Sequence, residues 1–217
     1  LDSYQCAIPE KILQNKDEVL VTYSPAVHEN HPKLKFFRDN GFKILSRKEI
    51  VQNITKEFYT ISVAGTHGKT TTSALLSHML YEGPCNLAGF IGGITKNYDS
   101  NMITYGNFQN PNVVMEADEY DRFFLCLKSN ISIVTTMDGD HYDIYKNFEN
   151  YKQGFFDFIN NTKPHGVTIL HKYVYNQLIE QNKAYNFYVN FYDINDAPIH
   201  AENVYLTENN CYHFDYI

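Results

Sequence analysis

The sequence predicts an α/β fold: a Rossmann-like N-terminal β-α-β unit, then a P-loop-type domain whose mainly parallel sheet ends in a C-terminal antiparallel hairpin. Three features predict it. Short apolar runs alternate with stretches of helical spacing through much of the 217 residues. One run, residues 59–64, passes through Gly65-Thr-His-Gly-Lys-Thr70 into a helical stretch. Near the end, two β-prone runs flank the turn signal Glu208-Asn-Asn210.

Taken in order, residues 18–23 read as a buried strand, 32–40 as a short helix and 42–45 as the next strand, which makes a small β-α-β unit. Residues 48–57 are polar and mixed, a connector helix, and the boundary falls there, giving domains 1–57 and 58–217. The strand at 59–64 opens the second domain. Residues 70–81 carry Leu75, Leu76, Met79 and Leu80 at helical spacing, and strands follow at 88–91, 113–116 and 131–135. Residues 148–159 read as an amphipathic helix with Tyr151, Phe155, Phe156 and Ile159 on one face. A strand at 167–170 and a hairpin of 204–207 with 211–216 complete the pattern.

Composition removes several classes of function. Apolar residues are 43% of the chain and charged ones 20%, without long like-sign runs, which argues against disorder. No stretch approaches the roughly 18 apolar residues of a membrane span, and no basic start with an apolar core opens the chain. A cytoplasmic protein without a membrane partner is the expectation. The net charge of −7 disfavours a general nucleic-acid binder, which needs a basic surface. Cys6, Cys85, Cys126 and Cys211 form no C-x-x-C pair and read as reduced, largely buried thiols. The chain starts at Leu1, and its first segment reads as the middle of something longer.

Three strand ends carry the chemistry. In Ile61-Ser-Val-Ala-Gly-Thr-His-Gly-Lys-Thr-Thr-Thr72 a strand ends at Gly65 and Gly68-Lys69-Thr70 opens a helix. Small residues let backbone N–H groups approach a phosphate, the helix start adds a positive dipole, Lys69 brings a mobile charge, and the Thr70 hydroxyl suits Mg²⁺. The loop is a variant, because only Thr66 and His67 separate Gly65 from Gly68 where the general pattern has four residues. A bare Gly-Lys-Thr would often be a simple helix cap. Strand, both glycines and helix together favour nucleotide binding.

The second strand end, Val113-Val-Met-Glu-Ala-Asp-Glu-Tyr-Asp121, runs into four carboxylates. Acids at the carboxyl ends of strands face the ligand crevice of a doubly wound sheet, and Glu116, nearest the strand, is placed as a Mg²⁺ anchor. A solvated acidic loop is the plainer alternative. The third, Ile131-Ser-Ile-Val-Thr-Thr-Met-Asp-Gly-Asp-His-Tyr-Asp143, offers His141 as ligand or base with Asp140 to orient it. Taken alone that pattern is weak; its weight comes from being the third strand end of one sheet to carry polar groups.

With these stretches together the chain resembles a Mur ligase, most like the alanine-adding branch. The family's loop Gly-Thr-(His/Asn)-Gly-Lys-(Thr/Ser) accounts for the variant cradle at 65–70, and Glu-Ala-Asp-Glu-x-Asp followed by Asp-His-x-Asp-x-Tyr stands at 116–121 and 140–145. Ser24-Pro-Ala-Val27, Arg47 and Phe90-Ile-Gly-Gly93 also look like family positions. The resemblance implies an ATP-dependent ligase of peptidoglycan synthesis that joins L-alanine to the carboxylate of UDP-N-acetylmuramate through an acyl phosphate. It implies part of a UDP-sugar-binding domain in 1–57 and a central ATPase domain in 58–217, with a glycine-rich N-terminal turn and a C-terminal domain not represented, so that the chain alone is inactive. It places nucleotide contacts on Gly65, Thr66, His67, Gly68, Lys69, Thr70 and Thr71. The β- and γ-phosphates fall to Lys69, one Mg²⁺ to Thr70 and Glu116, and a second cation to His141, which as an imidazole suits Mn²⁺ better than Mg²⁺. A ligase that attaches a ready-made tripeptide to the same UDP-sugar, and a non-catalytic P-loop module, are the alternatives.

Overall fold

The computed structural model describes residues 8–139, 142–179, 184–193, 197–207 and 212–216. The chain divides into two compact units, residues 1–53 and 54–217. This division and the expected boundary at residue 57 both fall within one helix, Arg47–Glu57.

The first unit begins with α1 (Glu10–Gln14) and a 3₁₀ turn (Lys16–Glu18), followed by β1 (Leu20–Tyr23), α2 (Pro32–Asp39) and β2 (Lys43–Ser46). The two strands pair in parallel, Leu20 opposite Lys43 through Tyr23 opposite Ser46, as a β-α-β unit requires. Pro32 sits in the first turn of α2, where its missing N–H costs nothing, and the His31 ring accepts the Lys33 N–H at 3.2 Å. Leu34 and Phe42 are buried, with Phe37 edge-on to Phe42 at 5.0 Å. The helix Arg47–Glu57 is α3.

The second unit holds a sheet of nine described strands. In chain order the elements are β3 (Tyr59–Ala64), α4 (Lys69–Glu82), β4 (Leu87–Thr95), β5 (Ser100–Tyr105), β6 (Asn112–Glu116), a 3₁₀ segment (Tyr120–Cys126), β7 (Ile131–Val134), α5 (Tyr142–Tyr145), α6 (Phe148–Asn160), β8 (Val167–His171), α7 (Lys172–Leu178), β9 (Tyr188–Asp193), β10 (Ile199–Leu206) and β11 (Tyr212–Tyr216). Across the sheet they lie β11-β10-β9-β8-β7-β3-β6-β4-β5. Every described pairing is parallel except the β4–β5 and β10–β11 hairpins. The expected α/β class with a terminal antiparallel hairpin is therefore present; its turn, 208–210, lies outside the described residues. The β4–β5 hairpin is an addition that the sequence reading missed. The β10–β11 ladder slips register between Glu202 and Tyr205, with Asn203 at φ +52°.

β3 occupies the centre of this order. Val63 and Ala64 have no exposed surface and Ile61 is buried, so both faces of the strand are covered, as parallel strands demand. Its neighbours β6 and β7 end beside it, which sets three strand ends at one edge of the sheet.

Two helices pack differently from the expected pattern. Ser73 and Ser77 of α4 are fully buried, while Leu75 and Met79 are 58% and 63% exposed. Closeness decides this: a Cβ built on Gly89 of β4 would lie 3.1 Å from the Ser77 Cβ, so only a small residue can face the strand there. Leu76 and Leu80 do pack inward, against Leu87, Ile91, Ile103 and Val114. On α6 the buried face is Tyr151, Gly154, Phe155, Phe158 and Ile159; Phe156 is only partly covered, and Phe158 takes the place expected for it. Phe158 stacks on Phe124 at 5.2 Å, and Phe155 meets the same ring edge-on at 5.3 Å.

At the opposite edge the lysines answer helix ends. The Lys163 ammonium bonds the carbonyl of Phe58, just past α3, and Lys128 bonds the Asn161 side chain just past α6. Burial pushes the Lys163 amine below its ordinary value. Of the cysteines, Cys126 is buried and Cys85 partly so, while Cys6 and Cys211 lie outside the described residues. Among the described residues no helix is long and apolar enough to cross a membrane.

The packing predicts a contrast between two helices. Phe158→Ala should destabilise the fold by about 3–5 kcal/mol, whereas Leu75→Ala on the exposed side of α4 should change stability by about 0.5 kcal/mol or less. Urea unfolding of both variants checks this.

Candidate functional site

The site begins where β3 runs out. Gly65 has φ +139°, and a Cβ there would lie 2.9 Å from the Thr136 nitrogen and overlap the Thr135 hydroxyl. No other residue fits that backbone and that gap. The absence of a side chain lets the loop lie on the residues that follow β7. Thr66 N–H donates to the Thr136 carbonyl at 3.1 Å, His67 N–H to the Thr136 hydroxyl at 2.9 Å, and the Thr135 hydroxyl to the His67 carbonyl at 2.5 Å. The Thr66 hydroxyl accepts the Asp138 N–H at 2.9 Å and lies 2.8 Å from the Tyr151 hydroxyl.

Gly68 then caps α4, and the first intrahelical bond runs from Thr72 N–H to the Gly68 carbonyl. The N–H groups of the first turn have no partner inside the helix and carry the positive end of its dipole. A loop with fixed carbonyls and a helix start with unused donors is a cradle for an anion.

Lys69 leads into this cradle from the helix. Its ammonium donates to the Gly65 carbonyl at 2.7 Å and to Glu119 Oε1 at 3.0 Å, and lies 2.9 Å from Oε2 as an ion pair. The Glu119 side chain is 1% exposed and that of Lys69 15%, so this pair is shielded from water. Burial raises the Glu119 carboxyl above its ordinary value, and the hydrogen bond and charge of Lys69 reverse that only in part. Tyr145 donates its hydroxyl to the Glu119 carbonyl at 2.7 Å; its own phenol is pushed up by burial. Arg122 lies over the Tyr145 ring at 5.3 Å. Glu119 is the residue that the sequence reading passed over. Its signal was its place in the acidic stretch, but the chain leaves strand geometry after Glu116, and alternation no longer tells which acid turns inward.

Thr70 and Glu116 form the second half. The Thr70 hydroxyl donates to one Glu116 oxygen at 3.0 Å, and the other accepts the Gly92 N–H at 2.6 Å. A Cβ on Gly92 would sit 2.6 Å from the Glu116 carboxyl carbon, so glycine at this position in β4 is what admits the carboxylate. A neutral hydroxyl beside a carboxylate, with solvent in front, is an oxygen donor set that fits Mg²⁺, which keeps several water or phosphate ligands. Among the described residues no group of three or more His, Cys, Asp and Glu side chains converges on one point.

The remaining expected residues divide. Gly65, Thr66, Gly68, Lys69, Thr70 and Glu116 come together. His67 joins through its backbone, while its ring is 72% exposed and 3.9 Å from an Asp138 carboxylate that is itself 52% exposed, a contact that contributes little. Thr71 is exposed on the first turn of α4. His141 and Asp140 lie outside the described residues. The third strand end nonetheless contributes, through Thr135, Thr136 and Asp138, whose part is to hold the loop.

Residues 63–216 match the Mur ligase middle domain. The chain belongs to the Mur ligase family. It is 42% identical over 163 residues to a UDP-N-acetylmuramate–L-alanine ligase of Cytophaga hutchinsonii, covering 75% of this chain and 35% of that protein. To the enzyme of the same name from Parabacteroides distasonis it is 37% identical over 213 residues, 97% of this chain and 45% of the other. The chain thus spans less than half the length of these relatives. Among solved structures, the UDP-N-acetylmuramate-alanine ligase of Thermotoga maritima superposes with a TM-score of 0.64 at 26% identity, over 85% of this chain and 41% of that one. The UDP-N-acetylmuramate:L-alanyl-gamma-D-glutamyl-meso-diaminopimelate ligase of Neisseria meningitides gives 0.72 at 20% identity, over 91% and 64%, a likeness of fold.

The buried acid gives this Mur ligase chain a pH signature. A carboxyl whose folded pKa is raised adds stability below its ordinary value of 4.5 and loses it as pH climbs through the folded value. The stability of the wild type relative to Glu119→Gln should therefore decrease as pH rises above 4.5, measured by urea unfolding from pH 4 to 8. A difference independent of pH would contradict this.

Proposed function

We propose that the intact protein joins L-alanine to the carboxylate of UDP-N-acetylmuramate, with ATP as phosphoryl donor, in peptidoglycan precursor synthesis in the cytoplasm. The observation that carries this reading is the placement of Lys69, Thr70 and Glu116 around the start of α4, a cationic and an oxygen-donor group on either side of unused N–H groups. The names of the two relatives point to the same reaction. Residues 58–217 form the ATP-binding part in this reading and residues 1–57 part of the UDP-sugar-binding one. The 217 residues by themselves are proposed not to form the amide.

Such phosphoryl transfer needs positioning and charge neutralisation more than covalent help from the protein. The substrate carboxylate attacks the γ-phosphorus, the bond to the β-phosphate oxygen breaks, and ADP leaves. The amine of alanine then attacks the acyl carbon, releasing inorganic phosphate and the amine's surplus proton. The first-turn N–H groups and Lys69 hold the β- and γ-phosphate oxygens, and Lys69 reaches them by giving up part of its contact with Glu119. Thr70 and Glu116 would hold Mg²⁺, which neutralises charge on the transferring group. His141 is proposed as a ligand for a second cation, Mg²⁺ or Mn²⁺, and no step depends on it here.

Assay of the intact protein with ATP, Mg²⁺, UDP-N-acetylmuramate and either L-alanine or the tripeptide tests the reading. Phosphate release with alanine is expected, falling about 100-fold or more in Lys69→Ala. Release with the tripeptide alone would assign the recycling reaction, and none with either would leave a nucleotide-binding module. In Gly92→Ala the displaced Glu116 should raise the Mg²⁺ concentration for half-maximal rate about tenfold, read from Mg²⁺ titrations.

A further inference from the structure

We propose that Tyr151 is a positioning residue for the phosphate loop, its hydroxyl holding Thr66 and, through Thr66, the resting place of Lys69. The inference rests on the nucleotide reading above and adds a residue that no motif contains. Tyr151 stands on the first turn of α6, far from the loop in sequence, and has no exposed surface. Its ring is fixed by Tyr145, edge-on at 5.0 Å, and by Phe155 at 5.0 Å. The hydroxyl therefore sits at one place, 2.8 Å from the Thr66 side-chain oxygen.

That oxygen has one proton and two lone pairs, and the Asp138 N–H occupies one lone pair. Tyr151 supplies a further contact, from a different direction. Without it, the Thr66 side chain would be tied only to the segment after β7, the same segment its own N–H already holds. With it, the loop is gripped from α6 as well, and Thr66 cannot pivot. The consequence reaches the ammonium of Lys69, which lies 3.4 Å from the Thr66 carbonyl and 2.7 Å from that of Gly65. The aromatic core thus sets the loop shape before a nucleotide arrives, which lowers the ordering cost of binding.

The test separates this role from core packing. Tyr151→Phe keeps the buried ring and removes one oxygen. In the intact protein its Kd for ATP, by equilibrium dialysis, should rise about fivefold, the loss of one neutral hydrogen bond. In a Thr66→Val background the same change should have no further effect, because the two groups act as one unit. Unchanged affinity of Tyr151→Phe, or an equal loss in both backgrounds, would overturn the inference. Lys69→Ala serves as the control: if it binds ATP like the wild type, the nucleotide reading fails and this inference with it. If Lys69→Ala is defective while Tyr151→Phe is not, only the inference falls.

Discussion

The geometry of the site depends on how closely β3 and β7 leave the sheet together. A side chain at residue 65 would overlap the Thr135 hydroxyl and crowd the Thr136 nitrogen, and the loop could not then donate two hydrogen bonds to Thr136 and accept one from Thr135. Everything downstream follows from that contact. It directs the chain from the strand into α4, exposes the first-turn N–H groups, and places Lys69 over its own loop carbonyls. The small residues here are a spatial requirement, since the alternative is to separate two strands in the middle of a sheet.

Charge is arranged in layers around this point. Nearest the core lies the carboxylate of Glu119, costly to bury unless paired, and its partner is the lysine that the loop offers. Further out, Glu116 faces solvent, with Thr70 and the Gly92 N–H on its two oxygens. The two acids come from one short stretch yet have different work. One holds a cation of the protein itself, and the other is open to a cation from solution. Behind both, Tyr145 and Tyr151 connect the polar loop to the aromatic packing around Phe124, so that rigidity in the core is transmitted to groups at the surface.

The order of strands and helices was legible because burial on both faces of β3, β6 and β7 leaves near-continuous apolar runs. The cradle was legible because its residue types are few and local. What failed were inferences that need distance information. Leu75 and Met79 have the spacing of a buried stripe, but the approach of α4 to Gly89 gives the inner face to serines. Phe156 and Phe158 look equivalent in sequence, and the position of Phe124 chooses between them. The strand β5 was missed because Ser100-Asn-Met-Ile-Thr-Tyr105 buries only Ile103 strongly, as an edge strand does. Glu119 and Tyr151 act across 50 and 85 residues of chain, and nothing local marks them.

The register slip in the β10–β11 hairpin has a consequence of another kind. A long flat strand at the border of a sheet presents free backbone groups to any passing extended chain and invites runaway pairing between molecules. Here Asn203 adopts a left-handed backbone between Glu202 and Tyr205, and its amide bonds Asp215 across the hairpin at 2.6 Å. The kink twists the ribbon and leaves charged and amide groups along it. The ribbon carries exposed Tyr205 on one face and exposed Leu206 and Phe214 on the other, a composition that would otherwise favour self-association. An irregularity of one residue thus breaks the regular ladder of this ribbon, so that an extended chain laid along it would meet a bend rather than an even row of backbone groups.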